Sequence, residues 1–264
     1  MKLKFLLISV ILLFLVILAA SLGIFVEDLY QDNLLVRAGW YGNDLVTLGL
    51  AIPLLMISTI LTRRGSLRGV LLWLGVLAYT LYCYAFYLFG AAFNSLFLVY
   101  VGIVVASTFG LIFALTSSPV QQIARGVNIS KLTRIAGILV ILVSVILGSF
   151  WTAISLEFIW SGKVPAMVTA VEHPTNVTGA LDLWMVVSFG FLGGVWLLQR
   201  RAWGYIIATI WSLKGLLYMS ALSAAAIAQF NMGATEDLVQ LAIWVPIGLV
   251  CFINSGLLLR ACPR

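Results

Sequence analysis

Lys214, in the segment TIWSLKGLLYM at residues 209–219, is the only charge between Arg201 and Glu236. It lies 13 residues from Arg201, about 20 Å along a helix at ~1.5 Å per residue, near the middle of a hydrocarbon core about 30 Å thick. A lysine stem can snorkel only part of that distance. A charge at the centre costs roughly 2.5–3.5 kcal/mol on insertion scales, so a partner or a wet cavity is expected. Trp211 and Tyr218 share its helical face, at i−3 and i+4. An ammonium so placed can hold an anionic ligand or serve a proton-coupled step. The plainer alternatives are a lysine packed among aromatic rings and a structural ion pair.

Its candidate partners are few. Asp182 and Asp44 open the sixth and second apolar runs, where a carboxylate stabilises a helix N-terminus. Asp182 is the better placed of the two, on the helix adjacent to Lys214. It lies about 10 Å or more nearer the outer face by helix rise, so a direct bond needs a bend or water, and Glu157 is the runner-up. Tyr79, Tyr82 and Phe86 fall on one helical face, and the deep Tyr79 and Tyr82 hydroxyls need partners. Tyr87 reads as part of an aromatic belt. The candidate site is therefore Lys214 with Tyr79, Tyr82 and Tyr218 as hydroxyl partners, and Asp182 and Asp44 near the outer mouth.

Other chemistry is thinly supplied. His173 is the sole histidine and reads as a solvated loop residue, so paired-histidine haem and histidine-rich metal sites are disfavoured. Cys83, Cys251 and Cys262 form no CxxC, and the ACPR tail does not fit a prenylation box. No phosphate loop, Ser/His/Asp set or HExxH occurs. No metal, cofactor or catalytic residue is expected, and the sequence leans away from an enzyme. A retinal-type Schiff-base lysine is disfavoured because the third run carries no acid for a counter-ion. Asn176-Val-Thr178 is a sequon in the longest outer loop, 159–180.

The elements that position these residues are membrane spans. Of 264 residues 63% are hydrophobic and 9% charged, against roughly 25% charged in a soluble domain. Apolar runs predict helices at 5–26, 44–62, 69–89, 95–116, 135–156, 181–198, 204–229 and 238–259. MKLK and its apolar run, about 22 residues long, read as a retained first span. Pro53 and Pro246 read as kinks, and the small-residue run SALSAAAIA, 220–228, suits close helix approach. Twelve of the 15 basic residues flank the termini or follow even-numbered spans, whereas all nine acids lie at the opposite ends. The positive-inside rule then places both termini in the cytoplasm. The net charge of +6 is a topology signal and calls for no nucleic acid.

An internal duplication is also predicted. The second span runs from Asp44-Leu45 to Arg63-Arg64 and is followed by Gly69 and Tyr82. The sixth runs from Asp182-Leu183 to Arg200-Arg201 and is followed by Gly204 and Tyr218. Residues 1–117 and 135–264 form the expected four-helix repeats, joined by a cytoplasmic linker at 118–134. Four spans per half make the repeats parallel. Aligning the glycines sets Lys214 opposite Tyr79; aligning the tyrosines sets it opposite Ala78. If the third and seventh spans line the axis, Lys214 faces the Tyr79 region.

The segments FYLFGAAFNSLFLVYV, 86–101, and LDLWMVVSFGFLGGVWLLQRRAWGY, 181–205, resemble a family of prokaryotic multi-pass membrane proteins. No reaction, substrate or catalytic residue is assigned to that family. The resemblance implies a bacterial or archaeal cell membrane and carries no residue roles. The expectation is an all-α polytopic bundle of eight spans in the cytoplasmic membrane. Its partners are the lipid bilayer and a small-molecule or ion substrate, handled as by a small transporter or permease. The alternative is a non-transporting assembly partner or sensor subunit. An intramembrane enzyme lacks clustered carboxylates, cysteines or histidines to support it.

Overall fold

The computed structural model describes residues 2–263. They are helical, with no strand among them, and eight helices are long and apolar enough to cross a membrane. These are α1 (Lys2–Phe25), α2 (Leu34–Arg63), α3 (Leu67–Gly90), α4 (Phe97–Leu115), α5 (Lys131–Ser161), α6 (Val177–Leu198), α7 (Ala202–Asn231) and α8 (Leu241–Ala261). Large apolar side chains such as Leu98, Ile146, Phe191 and Phe252 cover the outside of the bundle, as a lipid solvent allows and water does not.

The starts of α2 and α6 differ from the sequence expectation for one reason, and α5 runs longer at both ends than the expected 135–156. Asn33 caps α2 by accepting from the Val36 N–H, and Asn176 caps α6 by accepting from the Gly179 N–H. Asp44 and Asp182 therefore lie inside their helices and cap neither. The linker also holds a helix, Ser118–Gly126.

Both buried aspartates sit beside a widened turn. In α2 the turn spans Thr47–Ala51 and closes with the Ile52 N–H on the Thr47 carbonyl, five residues back. Pro53 follows, and the wider turn relieves its ring of the carbonyl four residues earlier. In α6 the turn spans Asp182–Val187, and both the Ser188 N–H and its hydroxyl donate to the Leu183 carbonyl. Trp211 on α7 donates to the Val186 carbonyl at 2.9 Å. An extra residue per turn rotates the side chains on either side relative to each other, which is why such turns recur at functional sites.

In the first half α1 packs on α2 and α4, α2 on α3, and α3 on α4; in the second, α5 packs on α6 and α8, α6 on α7, and α7 on α8. The halves meet mainly through α7, which contacts α2 and α3. Glycine and alanine let them close: a Cβ on Gly42 of α2 would lie 2.4 Å from the Ala225 backbone of α7, the approach expected of the 220–228 run. The helices α3 and α7 are the most enclosed of the eight.

Several local structures recur 135 residues apart. Ser9 and Ser144 each donate to the carbonyl four residues back. The widened turns begin at Thr47 and Asp182. Gly65 and Arg200 take positive φ, 86° and 59°. Gly69 and Gly204 each abut the backbone at the end of the preceding span.

Side-chain contacts mark two ends of the bundle. At the end bearing the termini, Lys4 lies over the Phe113 ring at 5.4 Å, and Gly126 abuts Pro263. At the far end Asp32 accepts from the Ala92 N–H and the Trp40 indole, Asn33 donates to the Ala170 carbonyl, and Gln229 donates to the Leu35 carbonyl.

Candidate functional site

The site assembles on α3. Its residues 79–87 carry four tyrosine hydroxyls, spaced so that different faces reach different helices. Tyr82 donates to Asp182 Oδ1 on α6 at 2.6 Å. Tyr79 shares a hydrogen bond of 3.0 Å with Thr47 on α2. Tyr87 donates to Asp44 Oδ1 on α2 at 2.9 Å.

Lys214 projects from α7 into this arrangement and is 7% exposed. Its Nζ lies 3.4 Å from the Tyr82 ring centroid and 4.6 Å from that of Tyr218, and the two rings meet edge to face at 4.5 Å. Among the described residues no carboxylate lies within 4 Å of this ammonium. Asp182, equally buried, takes its second hydrogen bond from the Trp151 indole of α5 at 2.9 Å. One side chain thus joins the two charges: the Tyr82 hydroxyl binds the carboxylate, and its π face takes the cation. A desolvated cation over a ring gains about 2 kcal/mol or more, and a hydrogen bond to a charged group gains about 1.5–3 kcal/mol. Both interactions run through Tyr82.

Asp44 forms a separate centre. It is 1% exposed and accepts from Tyr30 at 2.6 Å as well as from Tyr87. Gly23 on α1 leaves room for its carboxylate, since a Cβ there would meet Oδ2. The Tyr84 and Tyr100 rings pack against Tyr87, and their buried hydroxyls have no partner among the described residues.

The expected site is therefore divided. Lys214, Tyr82, Tyr218 and Asp182 come together, Tyr79 turns to Thr47, and Asp44 belongs to the second centre. Tyr82 closes the gap between Lys214 and Asp182 through its ring and its hydroxyl. Glu157 is exposed and outside the cluster. Tyr87 is not a belt residue: it is 2% exposed and bonded to Asp44. Asp182 lies 135 residues after Thr47 and Lys214 135 after Tyr79, the spacing of the recurring local structures, whereas the two Asp-Leu pairs lie 138 apart. Thr47 and Tyr79 form an uncharged hydrogen-bonded pair at that same spacing from Asp182 and Lys214.

Sequence reasoning missed Trp151, Tyr30 and Thr47. No motif marks them, although the helix-rise argument that located Lys214 also puts Trp151 of α5 in the outer part of its span, as it does Asp182. His173 is half-buried against the Phe86 ring and Gly90, not solvated, and its Nε2 has no partner among the described residues. Burial holds this imidazole below its ordinary pKa, opposed by the nearby Asp32 carboxylate.

Among the hollows on the bundle are one lined by Lys4, Trp73 and Ser117 and another lined by Leu54, Val76 and Leu213, and Lys214 lines neither of these. No protein-family model matches this chain, and neither a curated protein nor a solved structure is significantly similar to it.

Proposed function

We propose that the chain is a small permease-type membrane protein in which Lys214 is the countercharge for a small anionic solute, with Tyr82 holding the site closed between two halves. The observation that carries this reading is the indirect joining of two buried opposite charges. A pair serving stability alone gains most by direct contact with full hydrogen bonding. Here Tyr82 stands between them, and a rotation of that one ring frees the ammonium for an anion while Asp182 keeps Trp151.

The halves are a parallel duplication. The shared packing order and the 135-residue recurrences support it, and α3 and α7 are then equivalent helices at the axis. At the 135-residue spacing Thr47–Tyr79 is neutral where Asp182–Lys214 is charged, so the site is asymmetric. The basic ends lie in the cytoplasm together with both termini. The membrane is a prokaryotic cell membrane, in keeping with the resemblance of segments 86–101 and 181–205.

The tight enclosure of Lys214 favours a second reading, a non-transporting assembly partner or sensor subunit in which the same residues fix the helix arrangement. A stability screen with carboxylates, phosphate, sulfate and amino acids on purified protein separates the two. Transport predicts a thermal shift in the wild type that Lys214→Met loses. A Lys214→Met variant that keeps its fold, its responses and its cellular phenotype supports the second reading.

A further inference from the structure

We infer that the crevice between the halves at the termini-bearing end is a binding site for one anionic phospholipid, an acyl chain lying in the crevice and the phosphate on Arg260. The helices α2 and α7 touch at their far ends, where Gly42 meets Ala225 and Gln229 reaches the Leu35 carbonyl. About 18 Å along each helix, at ~1.5 Å per residue, Leu54 of α2 and Leu213 of α7 instead line a groove of about 430 Å³. Val76 of α3 and Phe252 of α8 also line it. The helices diverge from a close contact, so the crevice opens sideways into the leaflet beside the chain termini.

Two polar groups give the occupant an orientation. Ser255 of α8 lines the groove, is 4% exposed, and its hydroxyl has no partner among the described residues. Arg260 lines the same groove at the last turn of α8, is exposed, and has no carboxylate within 4 Å among the described residues. The two lie five residues apart, about 7.5 Å in rise. A phosphate at the interface with an ester carbonyl one step deeper and hydrocarbon beyond fits that order: cation, hydroxyl donor, apolar wall. A free phosphate would use Arg260 and leave both the hydroxyl and the apolar length empty. Basic residues beside a membrane favour anionic lipid by about 1 kcal/mol each, roughly fivefold in affinity.

Gly256 offers a clean perturbation, because it lines the groove and a Cβ there meets nothing within 4 Å. The experiment is native mass spectrometry of full-length, delipidated protein titrated with phosphatidylglycerol or phosphatidylcholine, alongside thermal unfolding with each lipid or with inorganic phosphate. One phosphatidylglycerol is expected to be retained preferentially. Arg260→Gln should remove the roughly fivefold preference over phosphatidylcholine, and Gly256→Trp should remove retention of both lipids while leaving the lipid-free melting temperature unchanged. Ser255→Ala should weaken retention without changing the preference. Equal retention by Gly256→Trp and wild type overturns the location. A preference unchanged in Arg260→Gln overturns the headgroup assignment, and stabilisation by inorganic phosphate alone overturns the lipid.

Discussion

Replacing Tyr82 by phenylalanine deletes one oxygen and nothing else from the bridge between α3 and α6. The lost bond is 2.6 Å long and ends on Asp182 Oδ1, whereas the ring under Lys214 Nζ at 3.4 Å is kept. A neutral hydrogen bond between membrane helices averages about 0.6 kcal/mol, and a bond to a charged group is worth about 1.5–3 kcal/mol. With Asp182 left only the Trp151 indole, the expected loss is about 2 kcal/mol. That corresponds to a fall of about 6 °C in melting temperature for a chain of this size. The assay is reversible unfolding in mixed micelles, run as a double-mutant cycle with Asp182→Asn. The cycle should return a coupling of about 1.5 kcal/mol. Tyr82→Leu, which removes the ring too, should lose about a further 2 kcal/mol of cation–π attraction. A Tyr82→Phe variant as stable as wild type, with changes that add to those of Asp182→Asn, would refute the bridge.

Other outcomes follow from the same geometry. Tyr30→Phe and Tyr87→Phe should each cost about 2 kcal/mol, and the double variant more than their sum, because it leaves the Asp44 carboxylate buried with neither hydroxyl; denaturant titration reads this. Gly42→Val forces a branched side chain onto the Ala225 backbone and should cost about 3 kcal/mol, at the upper end of overpacking penalties, with cysteine crosslinking between α2 and α7 lost in parallel. His173 has its folded pKa lowered by burial, so its contribution is present above the ordinary imidazole value of about 6.5 and is lost as pH falls through the folded value. Amide protection over residues 170–176, corrected for the intrinsic pH dependence of exchange, should therefore fall on acidification, and His173→Gln should flatten that dependence.

The architecture was legible because lipid imposes the simplest of sequence rules. Apolar runs mark spans, and all eight are present, displaced at their ends by caps such as Asn33, eleven residues before the apolar stretch that seemed to begin α2. The anomaly at Lys214 was legible for the same reason, since few residues make a central charge cheap. Its partner was only half legible. Helix rise argued against direct contact between Asp182 and Lys214, and no ion pair joins them, but the intervening Tyr82 hydroxyl depends on the relative rotation of α3 and α6, and the widened turn at Asp182–Val187 changes that rotation without any proline to announce it. Tyr87 and Trp151 were hidden by their type: an aromatic near a span end reads as a belt residue until packing shows which way it faces. The glycine alignment, Gly69 with Gly204, has the same 135-residue spacing as Ser9 and Ser144, whereas the more conspicuous Asp-Leu pairs at 44 and 182 do not share it.

The account rests on Lys214 being a ligand-binding cation held closed by Tyr82. The most direct measurement is the melting temperature of purified protein across a panel of small anions, compared between wild type and Lys214→Met. The account predicts that Lys214→Met folds, because removing a buried charge that has no direct ionic partner relieves desolvation, and that an anion-induced shift seen in the wild type disappears. A shift of equal size in both proteins, or no shift in either together with an unaltered cellular phenotype for Lys214→Met, would contradict it.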